Sequence, residues 1–494
     1  MGVYLSSAAR AADQPAPPPA APLSGAALDQ LYQTELGSAF DAARLPRYRL
    51  AHDLLEQYFA ADSNQRKQIE PRIETLGLPA QIIGRLARIR SSWTALDPGV
   101  YFINFQSGPI SVRYFLGIPP NYDPTRSWPL VEKLPVANAF LTNPPPAADA
   151  VTKIYSQWMT QELSAHPDAV LVMPLLNLDE LYGPGPVGMN LAMQPIFDAV
   201  KRANIDPARV YLTGHSMAAH AVWNLAVFYP TFFAAINPMA GAAHNAWQRV
   251  RLANLKNILA IVWADASDDV VNVDESRSIV HYLQRINYDV DYTETRDLGH
   301  QPSPQIIEAQ YEKMRSRVRD LYPAQVFLQS NSDDTVYNRA DWLQIYQPLT
   351  PGEQARVNFS RGSQGMYLYA NTFRASAQIT DRHTIKLDVK NVRLLRLYLN
   401  EQMLDLDNPI RVVIAGQTRF ESVVPRSIDE ILKDQLFLGR GWRYYTALID
   451  LDLTQQPTAT RPAGASASPG SSSHAPIEYT APDGTKKVFI PKGE

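Results

Sequence analysis

Between residues 111 and 300, short apolar runs alternate with longer amphipathic ones. Ser111–Ile118, Trp128–Leu134, Ala169–Leu175, Val210–Thr213, Phe233–Pro238, Ile258–Trp263 and Val290–Thr295 are short and mostly apolar or alternating, which predicts strands. Ala147–Ala165, Met193–Ala203 and Glu275–Ile286 read as helices between them. Strands alternating with helices predict an α/β fold with a mostly parallel sheet covered on both faces. Ahead of this stretch, Ser24–Asp97 places Leu28, Leu31 and Tyr32, then Leu50, Leu54, Leu55 and Tyr58, at helical spacing. These stripes predict a small helical region that packs on, or lids, the central unit.

After Tyr322-Pro323 the period shortens to two. Val326–Gln329, Trp342–Tyr346, Ala355–Arg361, Gly365–Ala370, Phe373–Ile379, Thr384–Val389, Leu394–Leu399 and Ile410–Ala415 are short and alternating, with turns between them. An appended β-sandwich is expected. Its Trp342, Tyr346, Tyr367 and Tyr369 read either as a carbohydrate- or polymer-binding face or as core residues. Gln455–Ser473 is rich in Pro, Ala, Ser and Gly and predicts a disordered tail. The expected division is 1–23 as a signal or disordered segment, 24–98 helical, 99–322 the α/β unit, 323–453 the β-sandwich and 454–494 the tail.

At 494 residues the chain exceeds a single average domain, and its 45% apolar content is ordinary for a globular protein. A net charge of −3 with no long basic block gives no sign of nucleic-acid or anionic-membrane binding. No apolar run approaches the roughly 20 residues of a membrane-spanning helix. The chain has no cysteine, which excludes disulfides and thiolate chemistry. Ala9-Arg10-Ala11 resembles a signal-peptidase site, but Met1–Ser7 is too short for the preceding regions. A truncated signal peptide, and with it export to a periplasm or medium, is expected. Met1–Ser6 also matches a myristoylation pattern, taken here as chance.

The chemistry concentrates at Gly214-His215-Ser216-Met217-Ala218, between the strand Val210–Thr213 and an apolar helix-compatible run. A serine at a strand–turn–helix junction is lifted above the sheet, with the Met217 N–H at a helix N-terminus where it can stabilise an oxyanion. Downstream, Ile258–Trp263 leads into a loop holding Asp265, Asp268 and Asp269, and Asp297–His300 forms a loop with one histidine. A serine hydroxyl needs a base to take its proton, and an imidazole suits that role. A carboxylate fixes the imidazole tautomer and stabilises the imidazolium. The predicted set is Ser216 as nucleophile, His300 as base, and an acid from the 265–269 loop. His220 is expected to pack beside the turn. His215 reads as structural or pocket-lining, and His244 as a pocket or surface residue.

Tyr114–Pro124, Trp128–Val131, Asn204–Met217 and the acid and histidine loops resemble bacterial α/β-hydrolases. The likeness is to the prolyl oligopeptidase catalytic domain and to feruloyl-esterase- and polyhydroxybutyrate-depolymerase-like serine esterases, over about Tyr101 to Tyr322. The segment after Tyr322 resembles the immunoglobulin-like modules of such enzymes. The Asp-x-x-Val pattern of Asp268–Val271 resembles the family's acid loop, which selects Asp268 and leaves Asp265 and Asp269 as loop caps or solvated charges. An alternative register, off by one to Asp269, stays open. The relatives carry His-Gly after the third strand, whose backbone gives the second oxyanion donor. Here Pro135 and Val136 stand in those places. Proline has no N–H, so Val136 or Ala137 is the expected donor. Asn138 either donates from its side chain or makes an Asx turn. Tyr182 resembles an aromatic of the family's pocket, while Asp179 and Glu180 read either as loop charges or as groups that meet a cationic or hydroxyl-bearing substrate. The resemblance implies ester cleavage through an acyl-enzyme, with no metal and no cofactor, on a small-molecule or polymer ester. The alternatives are peptide or amide cleavage by the same route, or a catalytically weakened carbohydrate- or partner-binding protein.

Overall fold

The computed structural model describes residues 23, 25–90, 96–107, 110–135, 148–175, 186–243, 246–332, 337–350, 356–358, 367–369, 372–438, 441–454, 477–480 and 486–489. Its centre is an eight-stranded sheet of β1 (Gly99–Ser107), β2 (Ile110–Ile118), β3 (Trp128–Lys133), β4 (Val170–Pro174), β5 (Ile205–His215), β6 (Ala235–Met239), β7 (Leu259–Asp265) and β8 (Val290–Thr295). The spatial order is β1-β2-β4-β3-β5-β6-β7-β8. Only β2 runs against its neighbours; β4, β3 and β5–β8 are parallel. β1 was not expected from the sequence. Its alternation (Val100, Phe102 and Tyr101, Ile103) fits a strand clad on both faces.

Strand alternation divides the core. Leu130, Val172 and Leu212 face helices Pro186–Arg202 and Met217–Phe228. Val131, Leu171, Tyr211 and Ile261 face helices Ala148–Ala165 and Pro304–Ser316. Burying both faces explains why β3–β7 are almost continuously apolar.

Residues after 322 form two further principal sheets. One has five strands in the order Gln417–Ser422, Ile410–Ile414, Thr384–Lys390, Phe373–Asp381, Gln325–Ser330. The other has four, Arg339–Ala340, Leu343–Pro348, Val392–Leu399 and Ala447–Asp452. Apolar residues of both, including Leu328, Ala375, Ile345 and Leu397, join the same apolar cluster as Leu130, Val172 and Leu212. One pair, Thr384–Lys390 with Ile410–Ile414, is parallel. A helix, Ile428–Leu438, interrupts the expected run of strands. Its Ile428, Ile431, Leu432 and Leu436 recur at helical spacing, and the acidic Asp429 and Glu430 suit the positive helix start. Leu432 of this helix packs into the cluster formed by helices Gly25–Leu36, Leu45–Ala60, Ser63–Glu74 and Ala80–Arg88.

A buried ionic centre joins these parts to the large sheet. Asp341 accepts from Arg319 at 2.5 Å and Arg443 at 2.6 Å, and its own N–H donates to Thr231 Oγ1. Arg319 also donates to Phe233 O and Arg443 to Thr231 O. These carbonyls lie just before β6, at the end of the sheet where the parallel strands begin. Among the described residues the N-terminal helices pack against Ile428–Leu438 and Tyr444 rather than over the far end of the sheet.

Of the aromatics weighed as a binding face, Trp342 is fully buried and donates to Pro323 O. Tyr346 lies half-buried under the Arg396 guanidinium. The side chains of Tyr367 and Tyr369 lie outside the described residues. Most of the expected tail also lies outside them, although Ile477–Thr480 pairs with Lys486–Phe489. No described helix is long and apolar enough to cross a membrane.

Candidate active site

β5 ends at His215, and the helix Met217–Phe228 begins immediately after Ser216. The reversal puts Ser216 at φ 57°, ψ −122°, a conformation costing about 1–3 kcal/mol for a residue with a side chain. Two glycines permit it. A Cβ on Gly214 would lie 2.8 Å from the Ala218 backbone, and one on Gly241 would lie 2.5 Å from Ala219 Cβ. The Ser216 N–H is held by Met239 O at 2.8 Å. Strand and helix therefore meet with the serine at the C-terminal end of the sheet. The Met217 N–H, first in the helix, has no acceptor within it.

The loops after β7 and β8 supply the other two groups. His300 Nε2 is 2.7 Å from Ser216 Oγ. His300 Nδ1 is 2.9 Å from Asp268 Oδ2 and 3.1 Å from Oδ1. Asp268 also accepts from the Val270 and Val271 N–H groups, at 2.8 and 2.9 Å. Burial alone would raise its carboxyl pKa, but the Val271 and Val270 amides and the His300 ring outweigh burial and lower it. An ionised Asp268 only accepts, so Nδ1 carries the proton and Nε2 is left to accept from the serine hydroxyl. Such a row can draw the proton from Ser216 as its oxygen attacks a carbonyl carbon.

A serine at the turn after the fifth strand, an acid after the seventh and a histidine after the eighth, on this sheet order, form one known layout. The fold is that of the α/β-hydrolases. No family model matches the chain, and no curated protein does. Among solved structures it is similar to a thermostable esterase (24% identity, 43% of this chain and 62% of that one, TM-score 0.35). It is also similar to a ferulic acid esterase from Anaeromyces mucronatus (15%, 47% and 94%, TM-score 0.32). A third is Porphyromonas gingivalis dipeptidyl peptidase 4 (12%, 45% and 35%, TM-score 0.33). The chain thus spans less than two thirds of the first and third of these.

The structure brings Ser216, His300 and Asp268 of this α/β-hydrolase fold together. Asp269 is exposed. Of the two readings of His215, structural or pocket-lining, the geometry fits the first: its Nε2 lies 2.7 Å from His300 O. Burial lowers its pKa against that bond, so the ring is neutral and donates. His220 is buried behind the turn, its Nδ1 against the Ala242 backbone. Val136, Ala137, Asn138, Tyr182 and His244 lie outside the described residues, as do Asp179 and Glu180. Among the described residues no cluster of His, Asp and Glu is arranged to hold a metal ion.

Of the two readings of Asp265, loop cap or solvated charge, the first holds: its Oδ1 accepts from the Ser267 N–H, and the side chain is fully buried. Burial would raise its pKa, but hydrogen bonds from Ser267, Thr295 and Leu298 drive it well below the usual carboxylate range. Its position at the last residue of a buried strand was a legible signal, since an acid there must find several donors.

Proposed function

We propose that the chain is a serine hydrolase that cleaves a carboxylic ester through an acyl-enzyme. The observation carrying this reading is the unbroken hydrogen-bonded row from Ser216 through His300 to Asp268. Ser216 Oγ attacks the ester carbonyl carbon while His300 Nε2 takes its proton. The Met217 N–H, with that of Val136 or Ala137, holds the oxyanion. His300 returns the proton to the departing alcohol. Water then attacks the acyl-serine by the same route and releases the acid. Asp268 stays ionised throughout and stabilises the imidazolium. No metal or cofactor enters this chemistry. Tyr182, Asn138 and His244 belong to loops expected to meet the substrate. Residues 99–322 carry the reaction; Asp341 and Arg443 tie the C-terminal part to the opposite end of the sheet, and the N-terminal helices pack on that part.

The test is labelling by a fluorophosphonate, followed by mass analysis of the labelled peptide. Modification at Ser216, with p-nitrophenyl and feruloyl esters turned over faster than a proline-containing peptide amide, supports the reading. Faster amide turnover would make the chain a peptidase. Neither labelling nor turnover would favour a binding protein.

A further inference from the structure

The backbone that presents His300 is held, residue by residue, by side chains from the acid loop and the serine turn. Asp265 Oδ2 accepts from the N–H groups of Asp297 at 3.2 Å and Leu298 at 3.0 Å. Ser267 Oγ accepts from the Gly299 N–H at 3.2 Å. That hydroxyl is aimed by its own donation to Asp265 Oδ1 at 2.6 Å, and the Ser267 N–H reaches the same oxygen at 2.7 Å. His215 Nε2 closes the series on His300 O. Gly299 sits at φ 64°, so the loop turns sharply just before the histidine. Few backbone bonds of a regular element constrain this segment, which makes the side-chain contacts decisive.

Resting on the proposed reaction, we infer that Asp265 is the positioning residue of the histidine loop, with Ser267 and His215 completing the clamp. Asp265 touches neither substrate nor reacting atoms. It acts by fixing where the His300 ring stands between Ser216 Oγ and Asp268. A carboxylate has about four lone-pair directions, and here they serve two loops at once: Oδ1 folds the acid loop and Oδ2 the histidine loop. Asparagine would keep one acceptor oxygen and turn an amide N–H₂ toward donors on the other side. Either loop would then have to move.

Four variants test this: Asp265→Ala, Asp265→Asn, Ser267→Ala and, as a control on an exposed acid, Asp269→Asn. Asp265→Ala should lower kcat by about 100-fold, the scale of a 1 Å misplacement, with KM unchanged. Asp265→Asn and Ser267→Ala should fall between it and the parent, and Asp269→Asn should match the parent. Added to Asp268→Asn, Asp265→Ala should cost far less than it does alone, because both act through one imidazole. Full additivity, or a rise in KM alone, would overturn the assignment. If Asp265→Ala does not fold, Asp265→Asn and Ser267→Ala carry the same comparison. A second readout needs no turnover: the low-field proton resonance of His300 Nδ1–H, identified by its loss in His300→Ala, should broaden or vanish in Asp265→Asn. Its persistence unchanged would also sink the proposal. Failure of the parent protein to label or turn over would instead count against the hydrolase reading, and the resonance would still decide the clamp.

Discussion

Glu132 offers the sharpest test of how this core is built. It lies in the middle of β3, paired in register with Val172 of β4 and Leu212 of β5. Alternation places it on the same face as Leu130 and Leu134, all fully buried in the main apolar cluster. The Glu132 side chain has 0% exposure, and among the described residues neither carboxyl oxygen has a hydrogen-bond partner. Desolvation, with nothing opposing it, raises its pKa well above 4.5, so the folded protein holds the acid neutral. An unpaired buried polar group costs about 1–3 kcal/mol, and leucine fills a similar volume without it. Glu132→Leu should therefore stabilise the fold by roughly 2 kcal/mol in mildly acidic buffer. The gain should widen with pH. Above about pH 4.5 the unfolded chain releases this proton and the folded chain keeps it, so stability falls by about 1.4 kcal/mol per pH unit until the folded group itself ionises. Thermal unfolding of the parent, Glu132→Gln and Glu132→Leu from pH 5 to 9 at fixed ionic strength reads both effects. Glu132→Gln should remove the pH-dependent part and keep the unpaired polar cost. Catalysis should be untouched, since Leu212 precedes Ser216 by four residues, about 13 Å along a strand. A leucine variant less stable than the parent, with a gap that does not change with pH, would refute the argument and mean that Glu132 is ionised and paired.

Ser216→Ala and His300→Ala should each abolish nearly all turnover while melting within a few degrees of the parent; comparable activity in either would remove the row of hydrogen bonds from the mechanism. Asp268→Asn should lower kcat by about 10⁴-fold, as loss of the correct imidazole tautomer does elsewhere, whereas Asp269→Asn should change little, and the reverse result would shift the acid by one residue. Because hydrogen bonding lowers the Asp268 pKa in the folded state, its contribution to stability is present above the unfolded carboxylate value and is lost as pH falls through the lowered one; Asp268→Asn should flatten that part of an acid denaturation curve. Asp341→Ala leaves Arg319 and Arg443 buried without their shared carboxylate, and should cost about 3–5 kcal/mol by chemical denaturation; a loss below about 1 kcal/mol would mean that the two arginines find other acceptors.

The central fold was legible because its pattern is redundant. Buried parallel strands announce themselves as apolar runs, and the strand–turn–helix context of Ser216 needs only local sequence. The order serine, acid, histidine is likewise a property of the chain. The helix Ile428–Leu438 was hidden among strands, although its spacing was readable, because its apolar face is completed by helices roughly 350 residues earlier in sequence. The roles of the loop acids were hidden for a similar reason. Asp265 and Asp268 lie three residues apart on one loop, and their chemistry differs only through what faces them. Asp268 meets an imidazole. Asp265 meets the amides of Asp297 and Leu298, 32 and 33 residues downstream.

The sequence by itself determined which residue types were present for the proposed nucleophile, base and acid, and in which elements they would lie. Tertiary structure alone decided that His215 faces the His300 backbone, that Trp342 is core rather than a binding surface, and that Glu132 is buried in the sheet without a partner among the described residues. Local pattern reports the face of a strand or helix on which a side chain lies. Hydrogen-bond partners and desolvation depend on groups brought together across the whole chain, and those emerge only when the elements pack.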